Sequence, residues 1–293
     1  MDTLHKPKVC VIGCGISGIL CIKYLKDVCD IHCYEMQDKP CGVWNYTKFT
    51  DETIDKDNDF YANMYGHCYG SVYENLTTVG PKNLNRLKDT MDHFEGDYFT
   101  DTQYIEYLLN YMKTHNIDPY ISYNTAVIDA RVNDANDENL HWKVTIQRGL
   151  KGETEIIYFD YVIVANGNTS IPNYNMRGIK NFDTFEGTVM HSHNFRTPYS
   201  DAFENKHILF IGSRISSNDI LYQFLGKGDD SKVTNFKTIT VSQGGFGFLQ
   251  NTTNFRKYID DGRLIVKKTG LDFKEHSVVF EDGTEQEIDT VIF

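Results

Sequence analysis

The sequence predicts an α/β fold with two three-layer domains, each built on a parallel sheet, and a small antiparallel β-meander inserted into the first. Three observations predict it. A strand, a glycine-rich turn, a helix and a second strand follow one another in residues 9–35, and a reduced copy of this pattern occupies residues 207–241. Short alternating segments lie between the copies. Because a strand that leads through glycines into a helix is typical of nucleotide-binding turns, both large domains are predicted to be Rossmann-like dinucleotide-binding domains.

The first copy contains three glycines with separate roles. Four β-forming residues at 9–12 run into Gly13-x-Gly15-x-x-Gly18. Gly13 permits the turn, Gly15 lets a pyrophosphate approach the backbone, and Gly18 lets helix and strand pack closely. Glu35 ends the next apolar run at about the distance expected for a ribose-binding carboxylate. A lone glycine pattern is often an accidental turn, but here the strand, helix, second strand and acid occur together.

Composition excludes several classes of function. The 293 residues carry 29 lysines and arginines against 41 aspartates and glutamates, and the net charge of -12 argues against nucleic acid or an anionic membrane as a partner. No apolar run reaches the roughly 18 residues of a membrane-spanning helix, so we expect no membrane span and a cytoplasmic location. Seven cysteines without a C-x-x-C pair predict reduced structural thiols rather than zinc or dithiol redox chemistry.

Two stretches before the meander are predicted to be helical. Asp101 is expected to cap a helix that continues through His115. The core face of this helix would carry Tyr104, Leu108, Tyr111 and Met112. Four tyrosines also recur at four-residue spacing, namely Tyr61, Tyr65, Tyr69 and Tyr73. Such a stripe most often packs on the core, so a helix-like segment is predicted there as well.

Short strands are predicted next, over residues 126–132, 142–147 and 155–159. They are separated by turn residues, which is typical of an antiparallel meander. The acidic stretch 133–139 is expected to form its hairpin tip. The following apolar run, residues 161–164, leads into small and polar residues and is predicted to be a buried central strand of the parallel sheet.

The second copy keeps only the first of the three glycines. It consists of a strand at 207–211, the turn Gly212-Ser213-Arg214-Ile215-Ser216-Ser217, a helix that ends at Phe224 and a strand at 238–241. Alone it would be ambiguous, but after a complete first copy it predicts a protein that binds two dinucleotides and moves electrons between them. Further strands are predicted at 264–266, 277–280 and 288–293, the last of them buried.

The segment between the two copies carries the most specific motif, Phe185-x-Gly187-x-x-x-His191-x-x-x-Phe195. Alone, His191 and His193 would be a weak metal signal or part of a solvated strand pair. With this motif between two nucleotide-binding turns, the sequence resembles the flavin-containing monooxygenase family over essentially the whole chain, and within it the bacterial trimethylamine-oxidising members. Baeyer–Villiger relatives prefer tryptophan at the place of Phe195.

The resemblance implies a set of cofactor-binding residues. Glu35 would hold the flavin ribose, and Gln37 and Val127 would contact its adenosine part. Val43 and Trp44 would belong to the loop over the flavin. In the second copy, Ile215, Ser216 and Asn218 would contact NADP. The full set for FAD and NADP is Gly13, Gly15, Ser17, Gly18, Glu35, Gln37, Val43, Trp44, Val79, Val127, Gly212, Ser213, Arg214, Ile215, Ser216, Asn218 and Gln243. No catalytic side chain and no metal ligand is assigned.

Three positions depart from the family pattern. Cys41 replaces a usual glycine, Val79 replaces an asparagine that faces the flavin, and Gln243 falls where an arginine often grips the 2′-phosphate of NADPH. The missing amide at Val79 predicts release of hydrogen peroxide. Gln243 predicts a weaker preference for NADPH over NADH than the family usually shows. Arg214 either takes over the phosphate or faces solvent.

The resemblance also implies a reaction. Members of the family pass a hydride from NADPH to FAD, let dioxygen add to the reduced flavin, and hold the flavin hydroperoxide until a nucleophilic nitrogen or sulfur attacks it. We therefore expect a monooxygenase whose partners are dioxygen and a small-molecule amine or sulfide; a homodimer is a further expectation. An NAD(P)H oxidase, a Baeyer–Villiger-type flavoenzyme and a nucleotide-binding remnant without turnover are the alternatives.

The expected domain boundaries follow from the motifs. Residues 1–170 are expected to form the FAD-binding domain, with the meander at about 120–160, and residues 171–293 the NADP-binding domain. The family's C-terminal return to the FAD domain is expected to be absent, because the sequence ends within an apolar strand. For this reason we expect poor flavin binding, self-association and slow turnover.

Overall fold

The structure, a computed structural model, describes residues 6–91, 93–133, 141–243 and 253–293. The chain divides into two units, Met1–Ile171 (unit 1) and Pro172–Phe293 (unit 2). In the described ranges, no helix is long and apolar enough to cross a bilayer.

Unit 1 alternates strands and helices before it enters a run of strands. Its elements are β1 (Lys8–Ile12), α1 (Ile16–Leu25), β2 (Asp30–Tyr34), α2 (Phe60–Tyr65), α3 (Lys82–Asn85), α4 (Asp101–Thr114), β3 (Ile121–Ser122), β4 (Thr125–Val132), β5 (Trp142–Arg148), β6 (Thr154–Phe159) and β7 (Tyr161–Val164). A 3-10 turn at Gly42–Trp44 lies between β2 and α2.

A parallel sheet of order β3-β2-β1-β7 forms the middle layer of unit 1. Since side chains alternate along a strand, its two faces carry different partners. Val11 and Cys33 pack on α1 and α4, where Ile19 is fully buried. Cys10 and Tyr34 face the opposite way, onto the meander. Each apolar side chain buried in this way stabilises the fold by roughly 1.5–3 kcal/mol. The three predicted layers are therefore helices, parallel sheet and meander.

Strands β4, β5 and β6 form the predicted antiparallel meander. Its inner side chains Val144, Ile146 and Phe159 are fully buried against the parallel sheet. The expected hairpin tip at 133–139 lies outside the described residues except for Asn133, whose N–H donates to the His141 carbonyl at 2.8 Å. The prediction of a meander is confirmed for all three strands.

Strand β7 is not the central strand that its apolar sequence predicts. It pairs with β1 alone and forms an edge of the sheet among the described residues. Tyr161 is 59% and Val164 69% exposed. An apolar run is compatible with a strand anywhere in a sheet, because the position of the strand depends on which distant segments pair beside it. The prediction that β7 is a buried central strand was therefore wrong.

The long helix α4 begins one residue earlier than expected. Its N-cap is Thr100, whose hydroxyl accepts from the Gln103 N–H at 3.2 Å, while the Gln103 side chain accepts from the Thr100 N–H at 3.1 Å. This reciprocal pair is a capping box, which binds two otherwise unpaired N–H groups. The prediction of Asp101 as the cap was wrong. The predicted core face is confirmed, because its members are buried, namely Tyr104, Leu108, Tyr111 and Met112.

The four spaced tyrosines do not form one helical stripe. Helix α2 ends at Tyr65, because Gly66 adopts a left-handed conformation with φ +73 and caps it. Of the four, only Tyr73 is buried in the core, at 5% exposure. The other three lie along a cleft that is described in the next section. The prediction of a helix-like stripe on the core was therefore wrong.

Unit 2 repeats the alternation of strand and helix. Its elements are β8 (Ile179–Lys180), β9 (Thr188–Met190), β10 (His207–Ile211), α5 (Ile215–Phe224), β11 (Thr238–Gln243), α6 (Thr253–Asp260), β12 (Leu264–Lys268), β13 (Leu271–Phe273), β14 (Ser277–Val279), β15 (Glu285–Glu287) and β16 (Thr290–Ile292). Strand β16 is fully buried, as expected for the last apolar run.

The strands of unit 2 form two packed sheets. The larger is parallel, with the order β12-β11-β10-β16-β9, so β16 is flanked on both sides. The smaller has the order β15-β14-β13-β8 and contains the segment predicted at 277–280. Leu209 and Val291 of the larger sheet share a core with Phe273 and Val278 of the smaller. On the other face, Phe210 of β10 contacts Phe224 of α5, with ring centroids 6.1 Å apart.

The motif at 185–195 has a structural role in unit 2. A Cβ on Gly187 would overlap the Phe185 ring and the Asp289 carbonyl oxygen, so β9 lies beside β16 only with glycine there. His191 Nδ1 accepts from the His193 N–H at 3.0 Å at the start of a 3-10 turn. Phe195 is buried against Phe203 and Phe224 at centroid distances of 5.9 Å each.

All seven cysteines are free, as predicted. Burial raises the pKa of the Cys10 and Cys41 thiols to about 12. The pKa of Cys14 is raised as well, by its hydrogen bond with Cys33 and by burial. Since the thiolate is the nucleophile, these side chains behave as small apolar groups at neutral pH.

We expect Gly187→Ala to lower the free energy of unfolding by about 1–3 kcal/mol, the usual cost of overpacking. Urea unfolding followed by circular dichroism measures this. The matched control is Thr188→Ala at the neighbouring exposed residue, which should change stability by less than about 0.5 kcal/mol. Equal unfolding midpoints for the two variants would contradict the close approach described for Gly187.

We expect native thiol labelling at about pH 8 to modify the partly exposed Cys29 and, more slowly, Cys21. Cys10, Cys14 and Cys41 should react only after unfolding, because they are buried and have raised pKa values. Peptide mapping after labelling with and without denaturant identifies the modified positions. Rapid native labelling of Cys41 would show that its pocket is open to solvent.

Candidate nucleotide-binding site

A cleft opens at the carboxyl end of the parallel sheet of unit 1. Its volume is about 620 Å³, and all of its lining residues belong to unit 1. The walls are the β1–α1 turn, the residues after β2, the Gly42–Trp44 turn, part of the meander and the segment after β7. Parallel sheets of this type bind ligands outside the carboxyl ends of their strands, so this is the expected position for a nucleotide.

The glycine-rich turn has the geometry that the sequence predicts. Gly13 has φ +94, and its N–H donates to the Tyr34 carbonyl at 2.8 Å, which joins the turn to the end of β2. A Cβ on Gly18 would overlap the Gly13 carbonyl oxygen, so this glycine lets α1 lie close to the turn. A Cβ on Gly15, by contrast, would have the Gly42 Cα as its nearest neighbour, at 4.0 Å. The space over Gly15, beside Ser17, is therefore open to a ligand.

Glu35 lies on the wall of this cleft and is only 6% exposed. Its Oε2 accepts from the Cys14 N–H at 2.6 Å and its Oε1 from the Gln37 N–H at 2.8 Å. Burial raises the pKa of Glu35, and the same two N–H groups partly oppose this. A carboxylate offers about four acceptor sites, so after these two bonds it can still accept from ribose hydroxyls.

Gln37 and Val127 line the same part of the cleft. The Gln37 side chain is fixed, because its Oε1 accepts from Asn45 Nδ2 at 3.0 Å. Asn45 Nδ2 also donates to the Pro40 carbonyl at 2.6 Å, which holds the loop after β2 in place. The carbonyl oxygen of the Gln37 amide is thus occupied, and its NH₂ group is the end left to donate to a ligand.

The Cys41–Trp44 loop crosses the glycine-rich turn. Cys41 adopts a left-handed conformation with φ 77, which costs a non-glycine residue roughly 1–3 kcal/mol. Its N–H donates to the Cys14 carbonyl at 2.9 Å, and Trp44 packs on Tyr104 at 4.5 Å between ring centroids. This conformation explains why glycine is usual here, and why cysteine at this position is strained. Val43 and Trp44 both line the cleft, and their contact with a flavin stays a prediction.

Three tyrosines form a wall of the cleft that the sequence did not reveal. Tyr61, Tyr65 and Tyr69, the tyrosine wall, have ring centroids 5.1 Å apart for the first pair and 5.3 Å for Tyr61 and Tyr69. Burial raises the pKa of Tyr61. Burial raises the pKa of Tyr69 to about 12. Gly66 and Gly70 lie between these tyrosines in the sequence. Because glycine is unfavourable within a helix, they were the signal against a continuous helix.

The end of β7 and the segment after it supply further lining residues that were not among the predicted set. They are Val164, Ala165, Asn166, Gly167, Asn168, Ser170 and Ile171. The Ala165 N–H donates to the Ile12 carbonyl at 2.9 Å, so this segment begins beside the glycine-rich turn. It thereby forms the wall of the cleft opposite β2, as the order of the sheet requires.

Most first-copy predictions meet in this one cleft. Gly13, Gly15, Ser17, Glu35, Gln37, Val43, Trp44 and Val127 all line it. Gly18 lies beneath the turn and has the packing role proposed for it. Val79 is not among the lining residues and is 72% exposed, so its contact with a flavin stays a prediction.

Unit 2 contains a turn of matching geometry. Gly212 has φ +112, and its N–H donates to the Ser242 carbonyl at 2.9 Å, as Gly13 does to Tyr34. Asn218 Nδ2 donates to the Ser213 carbonyl at 3.1 Å, so Asn218 stiffens the turn. Ile215, at 61% exposure, and Ser216 face solvent.

Arg214 takes the place of the second glycine in this turn. It is the N-cap of α5, with φ -85 and ψ -170, and Gly15 is the N-cap of α1 with φ -72 and ψ -171. This backbone conformation suits any residue, so arginine fits without strain. Gln243 is the last residue of β11. The turn thus keeps its backbone geometry although two of the three glycines are missing.

Comparison with known proteins identifies relatives along nearly the whole chain. A family model described as flavin-binding monooxygenase-like matches residues 6–231. The trimethylamine monooxygenase of Pelagibacter sp. (strain HTCC7211) is 28% identical over 300 residues, which cover 97% of this chain and 60% of that protein. The flavin-containing monooxygenase 2 of Homo sapiens is 25% identical, and the match covers 98% of this chain and 61% of that protein. The chain therefore spans about three fifths of the length of these relatives.

Solved structures agree with this result. Tmm from Pelagibacter sp. strain HTCC7211 has a TM-score of 0.76 at 25% identity, over 97% of this chain and 60% of that one. The S-allyl-L-cysteine S-oxygenase from Allium sativum has a TM-score of 0.77 at 19% identity, over 98% and 62%, which is a likeness of fold alone. The predicted α/β fold with two Rossmann-like domains and the predicted resemblance are both confirmed. The chain belongs to the flavin-binding monooxygenase-like family, whose members are FAD- and NADPH-dependent monooxygenases.

Proposed function

We propose that this chain forms the FAD- and NADP-binding part of a monooxygenase that uses NAD(P)H and dioxygen to oxygenate a nucleophilic nitrogen or sulfur of a small molecule. The observation that carries the proposal is the cleft of unit 1, in which an open glycine-rich turn and a buried carboxylate line one cavity. We assign FAD to unit 1, within residues 1–170, and NADP to unit 2, within residues 171–293.

The residues of the cleft fit the adenosine diphosphate half of FAD. The open space over Gly15, together with the N–H groups at the start of α1, suits a pyrophosphate. Glu35 would accept from the ribose hydroxyls, and Gln37 and Val127 would contact the adenosine. When bound, the flavin supplies hydride acceptance and dioxygen activation, and the protein contributes binding, orientation and exclusion of water. No side-chain nucleophile is required, and we assign none.

The substrate class is proposed from the relatives. The names of two of them state oxidation of trimethylamine and oxygenation at the sulfur of S-allyl-L-cysteine. An unprotonated amine nitrogen and a thioether sulfur are both uncharged nucleophiles with a lone pair, so one oxygenating flavin can serve both. We propose such a nitrogen or sulfur as the site of oxygenation here.

The surroundings of the enzyme form part of the proposal. We propose a cytoplasmic location, which is supported by seven free cysteines, since disulfides persist mainly in oxidising compartments. We also propose a homodimer. The exposed apolar edge of β7 supports it, because such edges readily pair with another strand.

We expect Gly15→Ala and Glu35→Ala to lose FAD. In Gly15→Ala the methyl group would occupy the space over the turn, and φ -72 lets the backbone accept it without strain. In Glu35→Ala the acceptor for the ribose would be lost, which weakens binding by about tenfold to a hundredfold. Flavin absorbance per protein after saturation with FAD and gel filtration measures this. Glu74→Ala at an exposed glutamate is the control. Full flavin content in both cleft variants would refute the assignment.

We expect the FAD-loaded chain, given NADPH and dioxygen, to convert trimethylamine to its N-oxide or methyl phenyl sulfide to the sulfoxide. Mass spectrometry of the products, with cyclohexanone as a parallel substrate, separates the alternatives. An ester would identify Baeyer–Villiger chemistry, and hydrogen peroxide alone would identify an NAD(P)H oxidase. Bound flavin that NADPH fails to reduce would identify a remnant without turnover.

A further inference from the structure

We propose that Lys268, at the carboxyl end of β12, binds the 2′-phosphate of NADP(H). This inference depends on the proposed assignment of NADP to unit 2. It names a residue that the sequence did not reveal, and it reverses the expectation that Gln243 leaves the chain with a weak preference for NADPH.

The first step is a correspondence between the two units. Ile12 pairs with Tyr34 in unit 1, and Ile211 pairs with Ser242 in unit 2. In both units the turn glycine donates its N–H to the carbonyl of that second residue. The next residue along each chain is therefore structurally equivalent, so Gln243 stands where unit 1 has Glu35.

The second step concerns the part of the dinucleotide that this position faces. In dinucleotide-binding domains the residue at the carboxyl end of the second strand faces the ribose 2′-position, where NADP carries its phosphate. An acid there selects NAD, and an arginine accommodates the phosphate of NADP. Glutamine at 243 neither repels the phosphate nor neutralises it. The charge must come from a neighbouring element if NADP is to be selected.

The third step is the register of the next strand. Gln243 pairs in parallel with Lys268, and both are the last residues of their strands. Adjacent strands lie about 4.8 Å apart, which is within the reach of a lysine side chain. Lys268 is thus the residue beside the ribose position along the edge of the sheet.

The fourth step fixes the face on which Lys268 lies. The preceding residue, Lys267, donates its Nζ to Asp282 Oδ2 at 2.8 Å and to Thr284 Oγ1 at 2.7 Å, on the side of the smaller sheet. Successive side chains point to opposite faces of a sheet, so Lys268 lies on the helix side. Glu35 has the same position in unit 1, because Tyr34 before it packs on the meander.

Charge completes the argument. Lys267 is neutralised by Asp282, whereas Lys268 is exposed and, within the described ranges, has no carboxylate in ion-pair contact. Arg214 stands at the position of Gly15, which is the pyrophosphate end of the site. The two cations would therefore divide the phosphates of NADP, with Arg214 beside the diphosphate and Lys268 beside the 2′-phosphate.

The test compares two adenosine ligands that differ at the 2′-position. Calorimetry on protein saturated with FAD, which blocks the cleft of unit 1, would measure the binding of 2′,5′-ADP and of 5′-AMP. We expect Lys268→Gln to weaken 2′,5′-ADP about tenfold and 5′-AMP less than about twofold, and Lys268→Arg to restore the preference. Lys237→Gln is the matched control, because Lys237 is exposed at the opposite, amino end of β11. It should leave both affinities unchanged.

The outcomes are distinct. If the wild type prefers 2′,5′-ADP and Lys268→Gln keeps that preference, the role of Lys268 is refuted while NADP binding by unit 2 stands. Equal weakening of both ligands by Lys268→Gln also refutes it, since the effect would then not depend on the 2′-phosphate. If the wild type binds neither ligand, the assignment of NADP to unit 2 fails and the inference fails with it.

Discussion

One backbone hydrogen bond organises each unit, from the N–H of the turn glycine to the carbonyl at the end of the second strand. It joins Gly13 to Tyr34 in unit 1 and Gly212 to Ser242 in unit 2. Because the bond ties the turn to the neighbouring strand, the residue that follows the bonded carbonyl is brought to the start of the helix. In unit 1 this places the Glu35 carboxylate against the Cys14 N–H and lets the Cys41–Trp44 loop cross above the turn. The cleft exists because these contacts converge on one short segment of backbone.

Local patterns predicted the parts of the fold that short stretches of sequence determine. The turn, the meander strands and the core face of α4 depend on residues close in the chain, and the structure has them where the sequence placed them. The prediction for β7 failed because its edge position depends on which distant segments pair beside it. Lys268 went unnoticed for the same reason, since only the register of β11 and β12 brings it beside Gln243. The cap of α4 at Thr100 and the end of α2 at Gly66 are local features, and both were predicted wrongly from the sequence.

The motif that identifies the family and a residue that departs from its pattern, Cys41, differ in their surroundings. The motif that identifies the family most specifically, around Gly187 and Phe195, includes a close approach of β9 to β16 and a contact between the Phe195 and Phe224 rings within unit 2. Cys41 illustrates the opposite case, because a departure from the family pattern falls at a left-handed position next to the cleft. A non-glycine residue in this conformation costs roughly 1–3 kcal/mol, and the Cys41 side chain is buried.

The tyrosine wall has a spectroscopic consequence. Its three side chains line the cleft, and the ring centroid of Tyr61 lies 5.1 Å from that of Tyr65 and 5.3 Å from that of Tyr69. Aromatic rings in fixed packing give a near-ultraviolet circular dichroism signal. Because a molecule in the cleft changes the surroundings of these rings, occupation of the cleft is expected to alter that signal without any added label.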